Sequence, residues 1–115
     1  MSSLLDVFTK ELRGGALMLA VLSQLRTPQN SYSLIHRLEQ VGINIELSTL
    51  FSLLRRLEHQ EVITSSWDTP KGKARKYYVL STYGSNFYEQ FKTEWAAMDL
   101  GLHELLKGEG KNESD

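Results

Sequence analysis

A chain of 115 residues with 41% hydrophobic content suits one compact domain rather than two. It has no cysteine, which excludes a disulfide framework, a thiolate metal site and a cysteine nucleophile and fits a reducing cytoplasm. The net charge of −1 points to no partner by itself. No basic start followed by an apolar run opens the chain, so no signal peptide is expected. The longest apolar run, Ala16 to Leu22, falls short of the ~20 residues of a membrane span. A soluble, cytoplasmic protein with no membrane partner is the expectation.

The distribution of charge says more than its sum. Residues 1–46 carry four basic and four acidic groups, and residues 47–80 carry six basic (Arg55, Arg56, Lys71, Lys73, Arg75, Lys76) against three acidic, for +3. Residues 81–115 carry three basic and seven acidic groups, for −4. A basic middle beside an acidic end draws a polyanion to one face.

Helical periodicity dominates the chain. A first helix is predicted from about Leu4 to Leu25, interrupted at Gly14-Gly15, where a kink or a close helix contact is expected. Thr27-Pro28-Gln29-Asn30 reads as a turn, with Asn30 or Ser31 capping a second helix that turns Leu34, Ile35, Leu38 and Val41 inward and stops at Gly42. The third helix, STLFSLLRRLEH, starts with Ser48 as its N-cap. At about 100° per residue its Leu50, Phe51, Leu53, Leu54 and Leu57 share one side, while Ser48, Ser52, Arg55, Arg56 and His59 take the other, with Thr49 at the edge.

Two short strands follow, Val62 to Trp67 and Ala74 to Leu80, rich in β-branched and aromatic residues. The turn between them, Asp68-Thr69-Pro70-Lys71-Gly72-Lys73, gives a hairpin with a basic tip. A long last helix, capped near Ser81 or Thr82, runs to about Leu106. Its Phe87, Tyr88, Phe91, Trp95, Met98, Leu102, Leu105 and Leu106 form an apolar stripe wider than a small core needs. Gly108 to Asp115 is expected to be a disordered tail.

Three helices and then a hairpin is the order of a winged helix-turn-helix. The fold class expected is mainly α with a small β-hairpin: a DNA-binding domain over residues 1–80, a dimerisation helix over 81–107 and the tail over 108–115. The leucine face of the third helix would pack on the first two, leaving its Ser, Thr and Arg face free for a DNA major groove about 12 Å wide. Arginine suits that place because its fork bridges phosphate or the O6/N7 edge of guanine. The expected DNA-facing residues are Ser48, Thr49, Ser52, Arg55 and Arg56, with Lys71, Lys73, Arg75 and Lys76 on the backbone. His36, His59 and His103 have no spacing that suggests a triad or a metal site, so neither an enzyme nor a cofactor is expected.

STLFSLLRRLEHQEVITSSW followed by KGKARKYYVLSTYG resembles the PadR family of bacterial transcription regulators. That family's third helix reads TLYxLLxRLExxGLI and its second wing strand RKYYxLTxxG. The single long last helix with TEWAAMD is similar to the short-chain branch that includes multidrug-sensing repressors. The resemblance implies a homodimeric repressor, held together by the last helix and the first, on an inverted-repeat operator in double-stranded DNA. It also implies a flat aromatic or cationic ligand at the dimer axis, stacked on the tryptophan matching Trp95, with Asp99 one turn on and Met18 and Phe91 nearby. Tyr32 keeps the tyrosine of the family's common Tyr-Gly pair, and the resemblance adds it to the DNA-facing set. The sequence departs from the family at Phe51 (usually tyrosine), Ser33 (the glycine of that pair) and Glu61 (usually glycine), and Phe91 is bulky enough to fill the ligand cavity. A repressor without a ligand, a winged-helix protein adaptor and a small-molecule carrier are the competing readings.

Overall fold

Ser3 opens the first helix by a reciprocal cap. Its hydroxyl accepts from the Asp6 N–H at 3.1 Å, and the Asp6 carboxylate accepts from the Ser3 N–H at 3.3 Å, so two of the donors orphaned at a helix start are satisfied. From this cap α1 (Leu4–Ser23) runs unbroken through Gly14 and Gly15. A Cβ at either glycine would meet nothing within 4 Å, so the close contact expected there does not arise within the chain. The structure is a computed structural model, and it describes residues 3–69 and 72–108. Lys71, expected at the wing tip, and the tail beyond Gly108 lie outside the described residues.

Asn30 caps α2 (Ser31–Glu39), its side chain accepting from the Ser33 N–H at 2.8 Å. The helix ends earlier than the sequence pattern suggests. Gly42 adopts φ +81 and donates its N–H to the Glu39 carbonyl, while Ile43 donates to the Leu38 carbonyl at 2.9 Å. This is the paired closure that a left-handed residue permits at a helix end. Val41, expected inward, therefore lies beyond the helical repeat and is exposed.

The third helix, α3 (Leu47–His59), has Glu46 as its N-cap with no side-chain cap bond. Ser48 is thus inside the first turn instead of capping it, and its hydroxyl is left on the exposed face. The same closure as at Gly42 ends α3 at Glu61: its N–H donates to the Glu58 carbonyl and that of Val62 to the Leu57 carbonyl. Here the left-handed residue is not glycine, and Glu61 holds φ 63.

Strands β1 (Ile63–Asp68) and β2 (Arg75–Leu80) pair antiparallel from Ile63 opposite Leu80 to Asp68 opposite Arg75. Gln29 adds a one-residue extension to this ladder, exchanging two backbone hydrogen bonds with Tyr78 at 3.0 and 2.8 Å. The turn before α2 is thereby sewn to the hairpin. Val21, Leu22 and Leu25 from the first helix region, Leu34 and Leu38 from α2, Leu50, Leu54 and Leu57 from α3, and Val62, Ile63 and Tyr78 from the hairpin form one core.

The last helix, α4 (Thr82–Lys107), starts against that core. Ser81 accepts from the Gly84 N–H at 2.8 Å and donates its hydroxyl to the Glu61 carbonyl at 2.7 Å. A Cβ on Gly84 would stand 1.7 Å from the Val62 carbonyl oxygen, so only glycine allows α4 to approach the end of α3 this closely. Beyond its first turns α4 leaves the core, and the molecule extends over 67 × 37 × 24 Å.

Candidate nucleic-acid interface

The amphipathic pattern of α3 decides which of its side chains are free. Leu50, Leu54 and Leu57 are at most 1% exposed, and burying three leucines fixes the rotation of the helix about its axis. Ser48, Thr49, Ser52, Arg55, Arg56 and His59 are consequently turned to solvent on one surface. Each belongs to the face expected from the sequence. Phe51 stands between the two faces, partly exposed, and points toward the hairpin and Tyr32.

The hairpin stands beside this surface. Lys73 is exposed, while Arg75 and Lys76 at the start of β2 are half-buried. Lys76 is engaged: its Nζ lies 3.5 Å from Glu58 Oε1 and 5.5 Å from the centre of the Tyr78 ring. The other carboxylate oxygen of Glu58 accepts from the Ser65 hydroxyl. One carboxylate on α3 thus holds both strands of the hairpin, the only side-chain polar link between the two among the described residues. Tyr32, at the start of α2, is exposed and faces the same space as Phe51, Lys73 and Arg75. Tyr32, Lys73, Arg75 and Lys76 thus line one recess between α2, α3 and the hairpin, while Ser48, Thr49, Ser52, Arg55 and Arg56 are exposed on α3.

The apolar stripe of α4 divides in two. Tyr88 is 6% exposed and belongs to the chain's own core, with Phe87 packed against it, so Tyr88 has almost no surface left for the partner contact expected of it. Phe91 is half-buried and stacked on Phe87, ring centres 5.7 Å apart. From there on the stripe is bare: Trp95, Met98, Leu102, Leu105 and Leu106 are all exposed. Leu4, Leu5, Phe8 and Leu12 of α1 are exposed too. Asp99 is exposed beside Trp95, and Met18 is partly buried against the core.

Two residues in this region had no role in the sequence pattern. Glu58 sits on the leucine helix three residues after Arg55, a spacing that suggests a surface pair within the helix; its actual partners are on the hairpin. Trp67 is the last residue but one of β1, next to the basic turn, and is 69% exposed. An aromatic residue at a strand end bordering lysines was the available signal.

Residues 18–90 match the family described as "Transcriptional regulator PadR-like family". Among solved structures, a PadR family transcriptional regulator from Eggerthella lenta is 39% identical; the match covers 89% of this chain and 91% of that one, with a TM-score of 0.79. A PadR-like transcriptional regulator from Bacillus cereus shares the fold at a TM-score of 0.76 and 23% identity, over 84% of this chain and 96% of that one. A curated relative from Lysinibacillus sphaericus, "Uncharacterized protein X", is 29% identical over 68 residues, 58% of this chain. This chain spans 62% of the length of that relative.

Proposed function

The chain belongs to the PadR-like family of transcriptional regulators, and from that premise we propose that it is a cytoplasmic, homodimeric repressor that binds an inverted-repeat operator. The observation that carries this reading is the rotation of α3. Three buried leucines on one side force Ser48, Thr49, Ser52, Arg55 and Arg56 onto the other, next to a basic hairpin. Residues 1–80 form the DNA-binding domain and α4 the dimerisation helix. Ser48, Thr49, Ser52 and Arg56 read base edges or adjacent phosphates, with Arg55 and Tyr32 close by, while Lys71, Lys73, Arg75 and Lys76 meet the backbone.

Exposed leucines, phenylalanine and tryptophan on both α1 and α4 support the dimer, because a lone small chain rarely leaves a large contiguous apolar surface in water. Two-fold pairing through these helices sets two α3 helices about one DNA turn, ~34 Å, apart, which is the source of the inverted repeat.

A salt titration of binding to duplex DNA tests the proposal. If each protomer neutralises about three phosphates, affinity falls roughly 10³-fold between 50 and 200 mM salt. Lys73→Ala weakens all sequences alike and lowers the slope by about one unit per protomer, whereas Arg56→Ala relaxes preference at one base pair by about 1–3 kcal/mol. A flat salt dependence with neither variant altered identifies a protein adaptor instead of a DNA reader.

A further inference from the structure

A recess of about 270 Å³ opens between the start of α2, the side of α3 and the hairpin. Tyr32, Phe51, Trp67 and Tyr78 line it, with Lys73 and Arg75 beside them. Tyr78 is buried, but Tyr32 is 66% and Trp67 69% exposed. Trp67 lies directly across the ladder from Lys76. Aromatic side chains this exposed, gathered beside cations, suit an occupant that is both apolar and negatively charged. The carboxylates nearby have partners: Glu58 holds Ser65 and Lys76, and Asp68 accepts from the Thr69 N–H.

We propose that this recess seats one strand of the operator, with Trp67 and Tyr32 against deoxyribose and Lys73 and Arg75 on the flanking phosphates. The proposal rests on the DNA-binding reading above and extends it. With α3 in the major groove and the hairpin at the neighbouring minor groove, the strand that separates the two grooves must cross the protein between α3 and the hairpin. The recess is the surface lying there. A sugar-phosphate chain alternates an apolar ring with an anion, and the walls offer aromatic faces and cations to match. The start of α2 adds the partial positive charge of a helix N-terminus beside Asn30, Ser31 and Tyr32. Contacts of this kind carry no base information, so Trp67 strengthens binding to every sequence alike.

The test separates an apolar contact from an ionic one. Trp67→Ala and Trp67→Phe are compared with the unaltered protein and with Lys73→Ala on random duplex DNA across a salt series. Removing about 40 Å² of apolar contact per protomer weakens binding roughly fivefold per protomer at every salt concentration. The slope stays as it was for Trp67→Ala, falls for Lys73→Ala, and Trp67→Phe recovers most of the affinity. In a Trp95→Phe protein of unchanged mass by light scattering, Trp67 is the sole tryptophan and its emission changes when duplex is added. Steep, salt-dependent binding by the unaltered protein, together with unaffected binding by Trp67→Ala and unchanged emission, overturns the strand seat while leaving the DNA-binding reading intact. Absence of any DNA binding by the unaltered protein overturns both. A response of Trp67 to deoxyadenosine monophosphate at micromolar concentration, without duplex, overturns the seat in favour of a small-molecule site.

Discussion

At Glu61 a non-glycine residue holds the left-handed conformation that ends α3. Steric crowding of Cβ makes that conformation cost about 1–2 kcal/mol for an ordinary residue, and glycine gives back part of the gain through its looser unfolded chain. Glu61→Gly is therefore expected to stabilise the protein by about 0.5–1 kcal/mol, read as a higher urea midpoint at a fixed protein concentration. The side chain is exposed, so nothing is lost by trimming it. Gly84 is the converse case. Its missing Cβ leaves space for the Val62 carbonyl, which would otherwise be 1.7 Å away, and that neighbour is backbone in the turn leaving α3. Gly84→Ala must shift either the start of α4 or the end of α3, with a loss of about 3 kcal/mol. The same urea series checks it; a midpoint equal to that of the unaltered protein would mean α4 does not dock as described. The two positions are linked through Ser81, which joins the Glu61 carbonyl to the Gly84 N–H.

Elements meet through contacts of different legibility. The four helices and the outward face of α3 were readable because they follow from periodicity, which needs only the sequence of apolar and polar residues, and the hairpin because β-branched and aromatic runs flank a Pro-Gly turn. Ends were less so: Ser48 looks like a cap but stands inside the helix, and Val41 looks internal because the pattern does not reveal that α2 has already closed at Glu39. The bridge from Gln29 to Tyr78 and the strut from Glu58 to Ser65 and Lys76 join residues far apart in sequence, and no local pattern encodes them. That strut leads to a prediction about the hairpin as an element. Glu58 draws Lys76 toward α3 and so competes with phosphate for its charge. Glu58→Gln keeps the shape and an acceptor for Ser65 but frees the ammonium. Binding to random duplex is expected to tighten, the salt slope to steepen by up to about one unit per protomer, and the ratio of operator to random affinity to fall, because the hairpin is held less firmly against α3, the helix proposed to read the operator. Electrophoretic mobility shifts on both duplexes measure all three. A uniform loss on both DNAs with an unchanged slope would show that Glu58 supports folding alone.

The whole molecule is long and bare at one side, with α1 and α4 presenting apolar residues that its own core leaves uncovered. Light scattering at micromolar concentration is expected to give twice the 13.1 kDa chain mass, and a monomer mass would remove the basis for the inverted-repeat operator. Within the proposed dimer Trp95, 46% exposed on α4, would meet the two-fold axis if α4 packs on its mate, and two indoles facing each other there would leave a slot for a planar cation. Stacking and cation–π attraction would contribute about 0.5–2 kcal/mol per face, and Asp99 one turn on favours positive charge. Phe91 works against the slot, since it already stacks on Phe87 toward the same end of the stripe. The balance depends on spacing: a ligand that fits only one separation of the two α4 helices also fixes the separation of the two α3 helices, and releases DNA by its differential affinity for the two arrangements. Trp67→Phe leaves Trp95 as the sole reporter, and its quenching by ethidium or berberine at tens of micromolar, followed without DNA because both dyes intercalate duplex, is the outcome such a slot predicts. Unquenched emission from an intact dimer would make Trp95 a packing residue and leave the proposed repressor governed by its own concentration.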